Sequence, residues 1–399
     1  MIDLKFLIEN PKVIKKILQE RFSKLNLTIV DDISKNYNEW KEIKKSIDDL
    51  RSQRNKLSEE VNLLKKQNKN IDLKLKEIKE IPDKIKKQEE IALKLREKID
   101  SLLLQIPNFL HESVPRAPTE EGNVTINTNG KIPKFTFTPK SHVDLITDLD
   151  LVDLENAAQV AGARFYYLKN DLVLLDQAVQ TFALQFLQKK GFTPIRTPDM
   201  LKKIAIQGAA ELADFEETLY KIHDEEELFL IATAEQALAS LYMNQTVKDL
   251  PLKFAGISSC YRREAGAHGK DTKGIFRVHE FRKIEQFVYC KQEDSYTHFH
   301  ELIANAQEIF ELLELPYRVI SIASGALNNA AAIKYDLEVW MPAQKVYREM
   351  VSCSNCLDYQ ARKLNIRYQD KSELKFVHLL NGTAVATPRV LAAILENYQ

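Results

Sequence analysis

Between about residue 30 and residue 105 the chain contains no glycine and a single proline, Pro82, and its apolar residues recur at alternating steps of three and four. Trp40, Ile43, Ile47, Leu50, Leu57, Val61 and Leu64 form one seam; Ile81, Ile85, Ala92, Leu95, Ile99 and Leu102 form another. Each seam is interrupted once by a polar residue, Arg54 and Gln88. A heptad stripe of this length excludes most folds, because so narrow an apolar face is satisfied by a partner helix and not by a broad core. The polar stretch Lys65-Lys66-Gln67-Asn68-Lys69-Asn70 lies between the seams, where a chain can reverse. The segment therefore predicts an antiparallel two-helix hairpin, about 50 Å long for helices of roughly 35 residues. Pro82 should kink the second helix or delay its start.

Charge adds to that picture. Residues 65–87 carry nine lysines against four acids, although Lys plus Arg and Asp plus Glu both total 57 over the whole chain. A chain with no net charge must meet a polyanion through a local patch, and this is such a patch. Lys65, Lys66 and Lys69 at the reversal are the candidate phosphate contacts; taken alone, the run equally describes a solvated helix face on a structural coiled coil.

After Pro107 the texture changes to short segments with Pro, Asn and Gly, such as Val114-Pro115-Arg116-Ala117-Pro118. We expect an N-terminal domain over residues 1–106, a linker over 107–139 and a second domain over 140–399, in which helix and strand patterns mix. Leu175, Ala178, Val179, Phe182 and Phe186 keep helical spacing up to Gly191, a helix terminator. Four cysteines are too few for a disulfide framework, and no leader-like stretch opens the chain at Met1-Ile2-Asp3-Leu4. That points to a reducing, cytoplasmic setting. No apolar run approaches the roughly 18 residues of a membrane span, so no membrane partner is expected.

Residues 253–290 read as two strands, Lys253 to about Arg262 and Ile275 to Tyr289, joined by a flexible basic loop. On the second strand Arg277, Phe281 and Glu285 are four apart and share a face; Arg262 and Glu264 on the first share one too. Two guanidiniums, two carboxylates and a ring on one surface suit a triphosphate, an ammonium and a purine. The same set also describes a surface salt-bridge ladder.

Tyr261-Arg262-Arg263-Glu264-Ala265-Gly266 and Arg277-Val278-His279-Glu280-Phe281-Arg282-Lys283-Ile284-Glu285 resemble motif 2 of the class II aminoacyl-tRNA synthetases in its seryl form. Gly191 to Pro198 resembles motif 1, and Asn381-Gly382-Thr383 through Arg389 to Gln399 resembles motif 3. Thr233-Ala234-Glu235 is similar to the family's serine-binding triplet. Glu349 with Ser352-Cys353-Ser354-Asn355-Cys356 is similar to its metal and ATP segment. The likeness, to the bacterial type of the seryl family, spans essentially the whole chain.

The resemblance implies an α+β fold, an antiparallel sheet flanked by helices plus the coiled-coil arm, in a homodimer. It implies ATP-dependent activation of L-serine and transfer to the 3′ end of tRNA(Ser), leaving open whether tRNA(Sec) is served. Arg262 and Arg389 would be catalytic. Thr233, Ala234, Glu235, Arg262, Glu285, Asn381 and Thr383 would bind serine. Arg262, Arg263, Glu264, Arg277, Val278, Phe281, Glu349, Met350, Val351, Ser352 and Arg389 would bind ATP, and Glu349 and Ser352 would support Mg²⁺, a hard ion that prefers oxygen. The competing readings are a non-catalytic homologue and a sister enzyme that loads a carrier protein; the arm speaks for tRNA. Cys353 and Cys356 form a lone CxxC, half of what a structural zinc site requires. Thr387-Pro388 stands where much of the family has glycine before the arginine. It reads as an N-cap followed by proline at the first helical position, with Leu391, Ile394, Leu395 and Tyr398 on one face.

Overall fold

The computed structural model describes residues 1–209, 218–222, 227–264 and 273–399; most of the expected basic loop, residues 265–272, lies outside the described residues. The chain forms two compact units. One comprises Ile2–Gln19 and Ser23–Ile106; the other comprises Pro107–Gln399 together with Met1 and Glu20–Phe22.

In the first unit two short helices, α1 (Leu4–Glu9) and α2 (Pro11–Glu20), precede the long pair α3 (Thr28–Lys66) and α4 (Asp72–Leu103). The 39 residues of α3 span about 58 Å at the ordinary helix rise. The heptads explain the pairing. Ile47, Leu57, Ile81, Ile85 and Ala92 are buried in one cluster with Trp40, Ile43 and Leu50 against it, whereas the off-seam Leu63, Leu73 and Leu93 are exposed. Pro82 does not delay α4, which starts ten residues earlier at Asp72. It removes one backbone donor on the exposed side while Ile81 and Ile85 hold the seam across it, and that burial offsets the roughly 3 kcal/mol cost of an interior proline.

The second unit is built on eight strands: β1 (Val124–Asn129), β2 (Thr193–Arg196), β3 (Leu252–Tyr261), β4 (Glu280–Cys290), β5 (Tyr317–Ser321), β6 (Ile333–Met341), β7 (Val346–Asn355) and β8 (His378–Ala386). Their order is β1-β5-β6-β7-β8-β4-β3-β2, antiparallel except for the parallel β2–β3 pair. Alternation on β4 shows how the sheet is covered. Ile284, Val288 and Cys290 join a core with Val179 and Phe186 of helix Asp171–Lys189 and Leu302 and Ile309 of helix Ser295–Leu312. Phe287 and Tyr289 join a second core with Ala234 and Leu238 of helix Ala234–Ser240 and Leu364 of helix Tyr359–Leu364.

Helix Asp171–Lys189 ends in a Schellman turn. Gly191 (φ +84°) donates to Gln188 O and Phe192 donates to Leu187 O, with Phe192 and Leu187 packed in the same core. Its buried residues are Leu172, Asp176, Val179, Ala183, Phe186 and Leu187; of the expected stripe Val179 and Phe186 are among them, Leu175 and Phe182 are half-buried against the same core, and Ala178 is exposed. The last helix, Thr387–Asn397, starts one residue earlier than expected. Ala386 is the N-cap, no side chain caps it, and Tyr398, beyond its last turn, is exposed instead of sharing the buried face of Leu391.

The second hairpin strand is shorter than expected, since β4 begins at Glu280 and residues 273–279 are irregular. Gly274 at φ +77° turns the chain, and its α-carbon faces His142 so closely that a Cβ would lie 2.6 Å from the imidazole Nε2. Ile275, Phe276 and Val278 are then buried without strand pairing. Period-two arithmetic therefore does not apply to Arg277.

Candidate active site

Phe281, Lys283 and Glu285 share the parity of Phe287 and Tyr289, so they point to the second face of the sheet, where they line an open cavity of about 770 Å³. Two irregularities turn further side chains into it. On β7 the register with β6 slips by one residue at Met350, so Glu349 and Ser352, which strict alternation would place on opposite faces, both reach the cavity. On β8 the slip against β4 falls at Ala384, and Asn381, Thr383 and Ala386 all line the same wall.

At one end the wall is a frame of short polar contacts. Thr233 caps helix Ala234–Ser240, its Oγ1 accepting from Glu235 N at 3.2 Å. Lys283 Nζ donates to the same Oγ1 at 2.6 Å and pairs with Glu285 Oε2 at 2.5 Å. Thr383, the register partner of Glu285, donates to that oxygen at 3.3 Å. Glu235 accepts from Gln360 Nε2 at 2.8 Å. This end is complementary to a small polar molecule bearing an ammonium and a hydroxyl.

Toward the other end Arg262 and Glu264 lie just past the end of β3. Arg262 Nε donates to Ala232 O at 3.2 Å, and its guanidinium lies 5.1 Å from the Phe281 ring centre. The backbone of Arg262 is clasped by His279, whose carbonyl accepts from Arg262 N at 2.9 Å and whose Nδ1 lies 2.7 Å from Arg262 O. Arg277 pairs with Glu264. Arg389, in the first turn of the last helix, donates to Glu349 O at 3.1 Å and Oε1 at 3.3 Å and stands 5.3 Å from the Phe276 ring. Although the Glu349 side chain is 46% exposed, its place among packed cavity walls works against the anion; Arg389, Lys334 and Arg262 outweigh that and hold the carboxyl below its usual range. Asp336, opposite Ser352 in the register, is the reverse case: burial pushes its carboxyl up to about 7 despite Lys334 at 3.3 Å.

Comparison with known proteins fixes the family. Residues 1–110 match the seryl-tRNA synthetase N-terminal domain, and residues 220–398 match the tRNA synthetase class II core domain (G, H, P, S and T). A serine–tRNA ligase of Thermococcus kodakarensis is 46% identical over all of this chain and 93% of its own length. The chain belongs to the seryl-tRNA synthetase family. A serine–tRNA ligase of Methanospirillum hungatei is 45% identical over 100% of this chain and 95% of its own length. Among solved structures, the seryl-tRNA synthetase of Pyrococcus horikoshii complexed with ATP superposes with a TM-score of 0.94 at 43% identity, covering 100% of this chain and 94% of that one.

Of the residues singled out for this synthetase, Thr233, Glu235, Arg262, Glu264, Arg277, Val278, Phe281, Glu285, Glu349, Met350, Ser352, Asn381, Thr383 and Arg389 line the one cavity. Ala234 and Val351 are buried in the cores, and Arg263 is not on the cavity wall, its N–H donating to Thr218 O at 2.9 Å. Lys65, Lys66 and Lys69 are exposed at the reversal of the arm, in the other unit. Sequence reasoning passed over Lys283, Phe276 and Pro388, which also line the cavity. Lys283 had a signal, lying two residues from both Phe281 and Glu285 on one strand face. Cys353 and Cys356 are buried thiols in no disulfide; Asn381 Nδ2 lies 3.8 Å from Cys356 Sγ.

Proposed function

We propose that this cavity binds ATP and L-serine side by side, and that the enzyme forms seryl-adenylate there before transferring serine to tRNA(Ser). The observation that carries the reading is the convergence of Arg262, Arg277 and Arg389 with the Thr233–Lys283–Glu285–Thr383 frame around one opening. In activation a serine carboxylate oxygen attacks the ATP α-phosphorus and the bond to the bridging oxygen of pyrophosphate breaks. The attacking carboxylate is already an anion, so the protein needs no general base, only alignment and charge neutralisation. Arg262, whose Nε bonds Ala232 O beside Thr233 and whose charge acts on Glu349, would neutralise both the α-phosphate and the carboxylate. Arg277 and Arg389 would hold the outer phosphates, and Glu264 would accept from the adenine amino group. Phe281 would stack on adenine with the ring face that Arg262 does not cover. Glu235 would receive the serine ammonium, and Glu285 with Thr383 would read its hydroxyl.

Glu349 and Ser352 offer oxygens at the phosphate end, which fits Mg²⁺. Among the described residues no group of three or more His, Cys, Asp or Glu could cage a metal, so these two would hold the ion jointly with the phosphates, as Mg²⁺ prefers. Bound there, it would offset phosphate charge. Lys65, Lys66 and Lys69 would contact the tRNA backbone. The exposed apolar Leu174 on helix Asp171–Lys189, with Val160 and Tyr167, supports a homodimer. Among the described residues no helix is long and apolar enough to cross a membrane, and we place the enzyme in the cytoplasm. Serine-dependent ATP–pyrophosphate exchange tests the reading: exchange with serine is expected, and its absence in folded protein overturns it.

A further inference from the structure

Lys283 is 5% exposed in the middle of β4, and no role in the scheme above accounts for it. An ammonium so deeply placed is tolerated only where its charge and donors are met. Here one nitrogen reaches the Thr233 hydroxyl at 2.6 Å and the Glu285 carboxylate at 2.5 Å. Thr233 begins helix Ala234–Ser240, and Glu285 Oε2 in turn accepts from Thr383 on the neighbouring strand. A single side chain thus ties together the helix, β4 and β8, the three elements that wall one end of the cavity.

We propose that Lys283 is a positioning residue for substrate selectivity: it locks the Glu285 carboxylate and the Thr233 hydroxyl in place so that Glu285 and Thr383 present a fixed pair to the substrate hydroxyl. The inference rests on the serine assignment made above. Selectivity by hydrogen bonding works when an analogue without the hydroxyl leaves the pocket's polar groups unpaired. A carboxylate free to turn would find another partner, and that penalty would vanish. Lys283 also balances charge. Glu235 and Glu285 both line this end, and Lys283 reduces two negative charges to one, which matches one incoming ammonium. A neutral residue at 283 would leave a carboxylate that is 2% exposed with no paired cation among the described residues.

Lys283→Met keeps the volume of the stem and removes the charge. We expect its kcat/KM for serine in ATP–pyrophosphate exchange to fall about 100-fold and that for alanine to fall much less, so that the serine-to-alanine ratio narrows at least about 10-fold. The KM for ATP should stay within about threefold, because the phosphate cations are other residues. In Lys283→Ala, n-propylammonium should restore serine-dependent exchange saturably, and n-propanol, of the same shape without the charge, should not. An unchanged ratio in Lys283→Met, or equal rescue by propanol, overturns the proposal. So does failure of both variants to bind ATP, since Lys283 would then be needed for folding alone. Wild-type protein that shows no exchange with serine would instead refute the pocket assignment itself.

Discussion

Replacing Thr383 by valine removes one hydroxyl at almost constant volume, and the structure allows its effect to be worked out. Thr383 is 7% exposed and its Oγ1 lies 3.3 Å from Glu285 Oε2, an oxygen that Lys283 holds independently at 2.5 Å. The carboxylate therefore keeps its cation in the variant, and the loss of one long hydrogen bond should cost the fold no more than about 1 kcal/mol. In the complex the loss is larger, because the serine hydroxyl forfeits a partner within a charged, buried network, a contact worth roughly 1.5–3 kcal/mol. At 1.36 kcal/mol per decade this lowers kcat/KM for serine about 10- to 150-fold. Alanine never used the hydroxyl and should change less than about threefold. Serine- and alanine-dependent ATP–pyrophosphate exchange, measured on the same preparations, gives both numbers. A discrimination on the order of 10⁴ in the parent should narrow to about 10²–10³. Equal slowing of the two substrates would mean that Thr383 acts on something other than the hydroxyl, and the serine pocket would have to be reassigned.

Deleting residues 32–104, none of which lines the cavity, should abolish tRNA charging and leave serine-dependent exchange; loss of exchange in a truncated protein that still binds ATP would contradict this. Changing Lys65, Lys66 and Lys69 to glutamine should reduce the slope of log K against log salt for tRNA binding by roughly 2 to 3, and an unchanged slope would move the contact elsewhere. Gly191→Ala should lower stability by about 1–2 kcal/mol in urea: the position has φ +84° with nothing within 4 Å of an added Cβ, so the cost is conformational and not steric. Burial lowers the His378 imidazole from 6.5 to about 4, with Arg362 adding to it and Asp358 and Glu293 opposing. The unfolded chain binds this proton first, so the stabilisation is complete above about pH 6.5 and is lost as pH falls toward 4, by up to about 3 kcal/mol. His378→Leu should flatten that part of the pH–stability curve in urea titrations, and an identical curve would reject the assignment.

The arm was legible because a heptad seam is a local and redundant signal. Every residue from Trp40 to Leu64 and from Ile81 to Leu102 that the spacing assigned to the seam is buried or half-buried. The helix that Gly191 ends was legible in its stop and only partly in its face: Val179 and Phe186 are buried and Leu175 and Phe182 pack against the core, but Ala178 is exposed and Asp176 and Ala183 complete the buried side. What local pattern could not give is the phase of a strand. Glu349 and Ser352 share the cavity only because β7 carries an extra residue at Met350, and β8 repeats the device at Ala384. A bulge is set by the register of two strands distant in sequence and leaves no mark on either alone. Arg277 came to the right surface for a different reason from the one its spacing suggested. It stands in irregular chain turned by Gly274, not on a strand face. Gln360, which holds Glu235 from a helix 125 residues away, carries no sequence signal that links the two.

Three ion pairs among the described residues of the cavity wall differ in burial, and the difference sorts them by what they can do. Arg277 and Glu264 have side chains 36% and 9% exposed, and Arg389 and Glu349 26% and 46%. A pair with one partner so open to solvent is worth no more than about 1 kcal/mol. A triphosphate offers each guanidinium charge-assisted bonds of greater strength, so these two pairs can be exchanged for nucleotide at little cost. Lys283 and Glu285 are 7% and 2% exposed. Breaking such a pair leaves a buried charge uncompensated, a penalty of about 3–5 kcal/mol, more than a serine hydroxyl or ammonium returns through one contact. That pair must persist through the catalytic cycle. On the proposed assignment, the phosphate end of the cavity would be held by contacts that substrate replaces, and the amino-acid end by a contact that substrate has to fit.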